Sequence, residues 1–168
     1  SRGLGDVYKR QVQVKRVGRF DVQKANALNI PKKLWSILQK QQSVEFEGKT
    51  YTSDMVLGSP RKGIKVSYCT DTRPTKELPA FVENSDLLIC EGMYGEKDKI
   101  QKAKEYKHMM FTEAAEIAKK ANVNEMWLTH FSPAMPFPEE FLPSAKEIFE
   151  NTHIGKDRKN VTLLFEED

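Results

Sequence analysis

The chain reads as an α/β fold, and three observations predict it. Short apolar runs of strand length recur at 64 to 69 (IKVSYC), 86 to 90 (DLLIC) and 125 to 130 (EMWLTH). A helical pattern over roughly 110 to 121 separates the last two, with Ala114, Ala115, Ile117, Ala118 and Ala121 forming a small-residue stripe suited to close packing on a sheet. A further helix near 139 to 150 and a closing strand, NVTLLFEE, continue the alternation. With 168 residues, the chain is one domain or part of one, long enough to bury roughly 70% of its unfolded surface.

The elements before these runs follow from local signals. Asn29 and Pro31 mark a helix start, and Ile30, Leu34, Ile37 and Leu38 share one face of the helix that follows, with Trp35 beside them. VEFEGKTY, 44 to 51, alternates around Glu47-Gly48 and predicts a hairpin. PRKG, 60 to 63, reads as a loop with two exposed cations, Arg61 and Lys62. The first residues, SRGLGDVYKRQ, have turn and charge character but no apolar period. Residues 1 to 11 therefore read as a non-native head, and 12 to 168 as a partial domain whose natural chain began further upstream.

Composition narrows the class. No apolar run approaches the ~18 residues of a membrane span. Two cysteines, Cys69 and Cys90, are too few for a disulfide scaffold; each sits in an apolar run and reads as a buried reduced thiol, which points to the cytoplasm. Charge is uneven: residues 12 to 65 balance at +7 and residues 66 to 168 at −6. A basic first part on an acidic body suits a polyanion-binding face, although a solvated lysine surface has the same composition.

Ionisable residues interrupt the apolar pattern at one recurring place. Asp71 lies just beyond the first run, Glu91 just beyond the second, and His130 ends the third. In open α/β sheets, sites gather outside the carboxyl ends of the strands. A metal cation would neutralise Asp71 and hold it where water reaches poorly. His108 precedes the alanine-rich helix and is a fourth candidate, while His153 reads as a surface residue. No HExxH or CxxC spacing is present, so the residues by themselves indicate a metal site short of ligands.

SYCTDTRP, LLICEGMYG, YKHMMFTEAAEIAKKA and EMWLTHFSP stand in the order and spacing of the C-terminal half of ribonuclease Z, the tRNA 3′-processing endonuclease family of the metallo-β-lactamase fold. NIPKKLWSILQKQQSV also resembles that family's helix and loop before the aspartate strand. The resemblance covers most of residues 20 to 168. It implies half of an αββα sandwich, a mixed sheet flanked by helices, with two zinc ions in the complete enzyme. It further implies that Asp71 bridges the ions, that His130 ligates one, and that His108, with Glu91 as acidic partner, protonates the leaving 3′ oxygen. Precursor tRNA is the implied substrate, reached through basic loops here represented by Lys32, Lys33, Arg61 and Lys62, and a homodimer the implied assembly. Arg73 either faces the phosphate or steadies the Asp71 turn, the second being favoured.

The family's HxHxDH motif and its protruding tRNA-binding arm belong to the N-terminal half and have no counterpart here. Within the matching part, Cys90 stands for the usual histidine before the glutamate, and Met109 and Met110 for serine and threonine; THFSPAM lacks an expected arginine. A catalytic zinc takes three protein ligands, which Asp71 and His130 do not supply, so this chain alone is expected to bind zinc weakly and turn over little. Two other classes fit less of the pattern: a hydrolase of small phosphodiesters or esters on the same fold, and a non-catalytic RNA-binding domain.

Overall fold

A computed structural model describes residues 9 to 167. The chain divides into two compact units: a larger one of residues 9–14 and 64–164, and a smaller one of residues 15–63 with 165–167. Each is taken by itself.

The larger unit is built on β1 (Lys9–Arg16), β4 (Arg61–Cys69), β5 (Leu87–Glu91), β6 (Glu125–Thr129) and β7 (Thr152–Ile154), the outer parts of β1 and β4 running into the smaller unit. Spatial order is β1-β4-β5-β6-β7, and β4 to β7 are mutually parallel. Cys69, Cys90 and Leu128 share one row across β4, β5 and β6. That register sends the three carboxyl ends to the same edge. Parallel strands need crossovers, and helices supply them: α3 (Leu78–Val82) follows β4, α4 (Ile100–Tyr106) and α5 (Phe111–Lys120) follow β5, and a 3₁₀ turn at Pro138–Phe141 runs into α6 (Leu142–Lys146) after β6.

Packing explains the stripe on α5. Ala114, Ala115 and Ala118 are fully buried with Phe111, and they join Leu78, Val82, Leu88, Met126 and Leu128 in one core. Alanine at these positions lets the helix backbone approach the sheet closely. A Cβ on Gly92 would meet the Phe111 ring at 2.8 Å, so the chain just after β5 has room only for glycine. Ser67 of β4 and Ser85, just before β5, have hydroxyls 2.8 Å apart, and Gln11 Nε2 donates to Ser67 and, at 2.6 Å, to the Phe81 carbonyl. These contacts answer the cost of burying hydroxyls in an apolar layer.

The smaller unit packs α1 (Val22–Ala27) and α2 (Lys32–Leu38) with the hairpin of β2 (Ser43–Phe46) and β3 (Lys49–Thr52). Asp21 caps α1 by accepting from the Lys24 N–H at 2.9 Å. Ala25, Ile30, Leu34, Leu38, Val56 and Leu57 form its core. Glu47 and Gly48 both have positive φ, 51° and 71°, as a two-residue hairpin turn requires.

Three expectations change, and a fourth falls mostly outside the described residues. PRKG is not a loop: Arg61, Lys62 and Gly63 open β4. The helix expected near 139 to 150 is shorter and two-part, because Pro138 and Pro143 each start a new segment. NVTLLFEE forms no strand; the last strand of the sheet is β7 instead. In its place Phe165 lies under the Arg16 guanidinium, 5.0 Å from its centre, and the Glu166 carbonyl accepts from Arg16 at 2.6 Å. Of the supposed head, residues 1 to 8 fall outside the described residues, while Lys9, Arg10 and Gln11 belong to β1.

Leu88 on β5 is fully buried, whereas Val12 on β1 is 62% exposed. Leu88→Ala is expected to cost about 2–5 kcal/mol in urea unfolding, and Val12→Ala less than about 0.5 kcal/mol. Burial pushes the Cys69 thiol up to about 11 and Cys90 well above the usual thiol range. Both are therefore protonated at pH 8, and neither should react with a thiol-specific chromogenic disulfide until the chain is unfolded.

Candidate functional site

The site lies where β4, β5 and β6 end. One residue past the shared row, Glu91 closes β5; two residues past it stand Asp71 and His130. Both Asp71 and His130 have left-handed backbones, φ 47° and 57°. Non-glycine residues in that region cost of order 1–3 kcal/mol and gather at functional sites. The turns they make swing both side chains to one point. His130 Nε2 comes within 3.4 Å of Asp71 Oδ1.

His108 arrives from the other side of the same edge, on the short link between α4 and α5. Lys107 ends α4 in a left-handed conformation, and the His108 N–H donates to the Ala103 carbonyl at 2.8 Å. Its Nδ1 is 3.0 Å from Glu91 Oε2 and 4.0 Å from Asp71 Oδ1. The His108 and His130 rings meet edge to face with centroids 5.2 Å apart.

Glu91 is the buried member of the group, 0% exposed. A buried carboxylate needs donors, and this one has them. Oε1 accepts from the Thr72 N–H, and Oε2 accepts from the Met109 N–H at 3.2 Å beside the His108 ring. Burial pushes its carboxyl above the ordinary carboxylate range, while the Thr72 and Met109 N–H groups and His108 pull the other way. Glu91 thus ties the chain after Asp71, through Thr72, to the chain after His108, through Met109.

Ligand atoms of Asp71, His108 and His130 all lie within 4.8 Å of one another, close enough to share an ion. Asp71 and His130 offer a carboxylate oxygen and an imidazole nitrogen, donor types that zinc takes, while His108 Nδ1 is engaged by Glu91. The donor types of Asp71 and His130 fit part of the set needed by the metal that the resemblance implies.

Arg73 uses its guanidinium inside the protein. It forms a two-pronged ion pair with Glu113 in the first turn of α5 and donates to the His108 carbonyl at 2.6 Å. The basic candidates belong to the smaller unit. There Lys33 sits 3.7 Å over the Phe46 ring and Lys32 6.0 Å over Trp35; Arg61 donates to the Val17 carbonyl and Lys62 pairs with Glu166. His153 lies mid-strand on β7, with Nε2 2.9 Å from the Asn151 side chain. Glu113 is the residue that sequence reasoning missed. Its signal was an acid three positions after Met110, the capping-box offset, hidden inside an alanine-rich helix.

Comparison with known proteins agrees with this geometry. A family model described as "Beta-lactamase superfamily domain" matches residues 11–131. Three curated ribonucleases Z are similar in sequence. That of Agathobacter rectalis is 56% identical over 96% of this chain and 53% of its own length. That of Clostridium acetobutylicum is 57% identical over 92% and 50%. That of Lachnoclostridium phytofermentans is 52% identical over 94% and 52%. The chain spans about half the length of the curated relatives it matches. Residues gathered at the carboxyl ends of parallel strands, a matching family model and these identities together show that the chain belongs to the β-lactamase superfamily, in its metallo-β-lactamase fold, with the ribonucleases Z as its relatives.

Proposed function

We propose that the protein containing this chain is a zinc-dependent endoribonuclease that removes the 3′ trailer of precursor tRNA. The observation that carries the reading is the meeting of Asp71 and His130, 3.4 Å apart, beside a histidine held by a buried carboxylate. The naming of relatives at 52% to 57% identity as ribonuclease Z supports the substrate.

Asp71 and His130 would hold the metal. When bound, zinc supplies Lewis acidity that activates water and neutralises the phosphate. The remaining chemistry falls to the chain's own side chains. Glu91 orients His108 through Nδ1 and leaves Nε2 to face the substrate. From that nitrogen a proton passes to the departing 3′ oxygen, and the Glu91 carboxylate balances the charge of the protonated ring. The product carries a 3′ hydroxyl. Lys32, Lys33, Arg61 and Lys62 are proposed to contact RNA phosphates, an electrostatic contribution that weakens as salt rises. A cytoplasmic location and a homodimer complete the reading. With His108 engaged in proton transfer, Asp71 and His130 leave a zinc ion short of three ligands. The further ligands are proposed to come from the part of the relatives' length that this chain does not span.

The test is cleavage of a trailer-bearing precursor tRNA by the zinc-loaded protein that contains this chain. Cleavage at the trailer junction is expected; hydrolysis of a small phosphodiester without tRNA cleavage would overturn the reading. Asp71→Ala should abolish both activity and zinc content by metal analysis, and the 168-residue chain alone should retain little zinc on dialysis. His108→Gln should lower kcat about 10²–10⁴-fold with zinc content unchanged, since its task is the proton and not the metal.

A further inference from the structure

We propose that Arg73 and Glu113 form a latch that positions His108, making both positioning residues for the reaction read above. The inference rests on that reading for its chemistry, but its geometry stands apart.

Arg73 lies two residues beyond Asp71 and Glu113 five beyond His108. Arg73 Nη1 donates to Glu113 Oε2 and to the His108 carbonyl, both at 2.6 Å, and Nη2 pairs with Glu113 Oε1. Glu113 Oε2 also accepts from the Met110 N–H at 2.9 Å, closing the first turn of α5. The fork therefore grips the peptides on both sides of Met109. Without it, His108 would be held by its ring, through Glu91, and by its own N–H to Ala103, leaving the carbonyl side free to turn. With it, ring and backbone are both fixed, and so is the direction in which Nε2 faces.

The pair is partly sheltered, with Arg73 24% and Glu113 19% exposed. Bidentate guanidinium–carboxylate contacts of this kind are among the strongest polar contacts and are directional. A lysine can reach the His108 carbonyl but cannot form the fork. The alternative role for Arg73, contact with a substrate phosphate, would compete with three hydrogen bonds already made, and it predicts a different kinetic signature.

Two measurements test the latch. In the zinc-loaded protein that contains this chain, Arg73→Gln and Glu113→Gln should each lower kcat for precursor tRNA about 10-fold to 100-fold with KM within about twofold. Zinc content should stay at the wild-type level, and Arg73→Lys should recover part of kcat. A rise in KM with kcat unchanged, or loss of zinc, would overturn the proposal in favour of substrate contact or a merely structural role. The second measurement is long-range proton–nitrogen NMR of the histidine rings, with His108 assigned through His108→Gln. Glu113→Gln and the milder Arg73→Lys should shift or broaden the His108 ring signals and leave His153 in place. Unchanged His108 signals would sink the latch whatever the substrate proves to be. If the wild-type protein cleaves no precursor tRNA, the functional reading fails, and the NMR measurement still decides the latch.

Discussion

The site depends on a carboxylate with no access to water. Glu91 closes the central strand of a parallel set and is buried on every side. Removing an acid from water is tolerable only where donors replace the lost hydration. Here the donors are backbone N–H groups of Thr72 and Met109, with the His108 ring beside them. Each donor comes from a different loop, so one buried charge sets the separation of the loops that carry Asp71 and His108. Asp71 and His130 sit one step further out, in left-handed turns that the parallel register delivers to the same edge.

Division of labour follows from exposure. Asp71 and His130 are each 37% exposed, open enough for an ion and a substrate to arrive. His108 is half as open, at 18%, and Glu91 is closed. The gradient suits a centre in which the outer pair holds a cation and the inner pair manages a proton. Arg73 and Glu113 brace the inner pair from the side of α5.

Much of this was legible in the sequence, for identifiable reasons. Strand-length runs at 64 to 69, 86 to 90 and 125 to 130 announced the strands, and the ionisable residue just past the first two and at the end of the third announced the candidate site. The alanine stripe announced α5 because close packing on a sheet admits few other side chains. Local signals failed where long-range partners decide. NVTLLFEE has the apolar content of a strand yet pairs with none, and Arg61-Lys62-Gly63 resembles a loop yet opens β4. The Arg73–Glu113 pair spans forty positions, and no local pattern encodes such a contact. The αL turns at Asp71 and His130 were equally hidden, since neither residue type demands a positive φ.

Anomalous diffraction at the zinc edge from crystals of the zinc-loaded protein that contains this chain decides whether Asp71 and His130 share an ion. A zinc peak coordinated by the Asp71 carboxylate and His130 is expected, with His108 bonded to Glu91 and outside the coordination sphere. Zinc bound elsewhere, or Asp71 and His130 side chains turned away from a common ion, would contradict the proposed metal site.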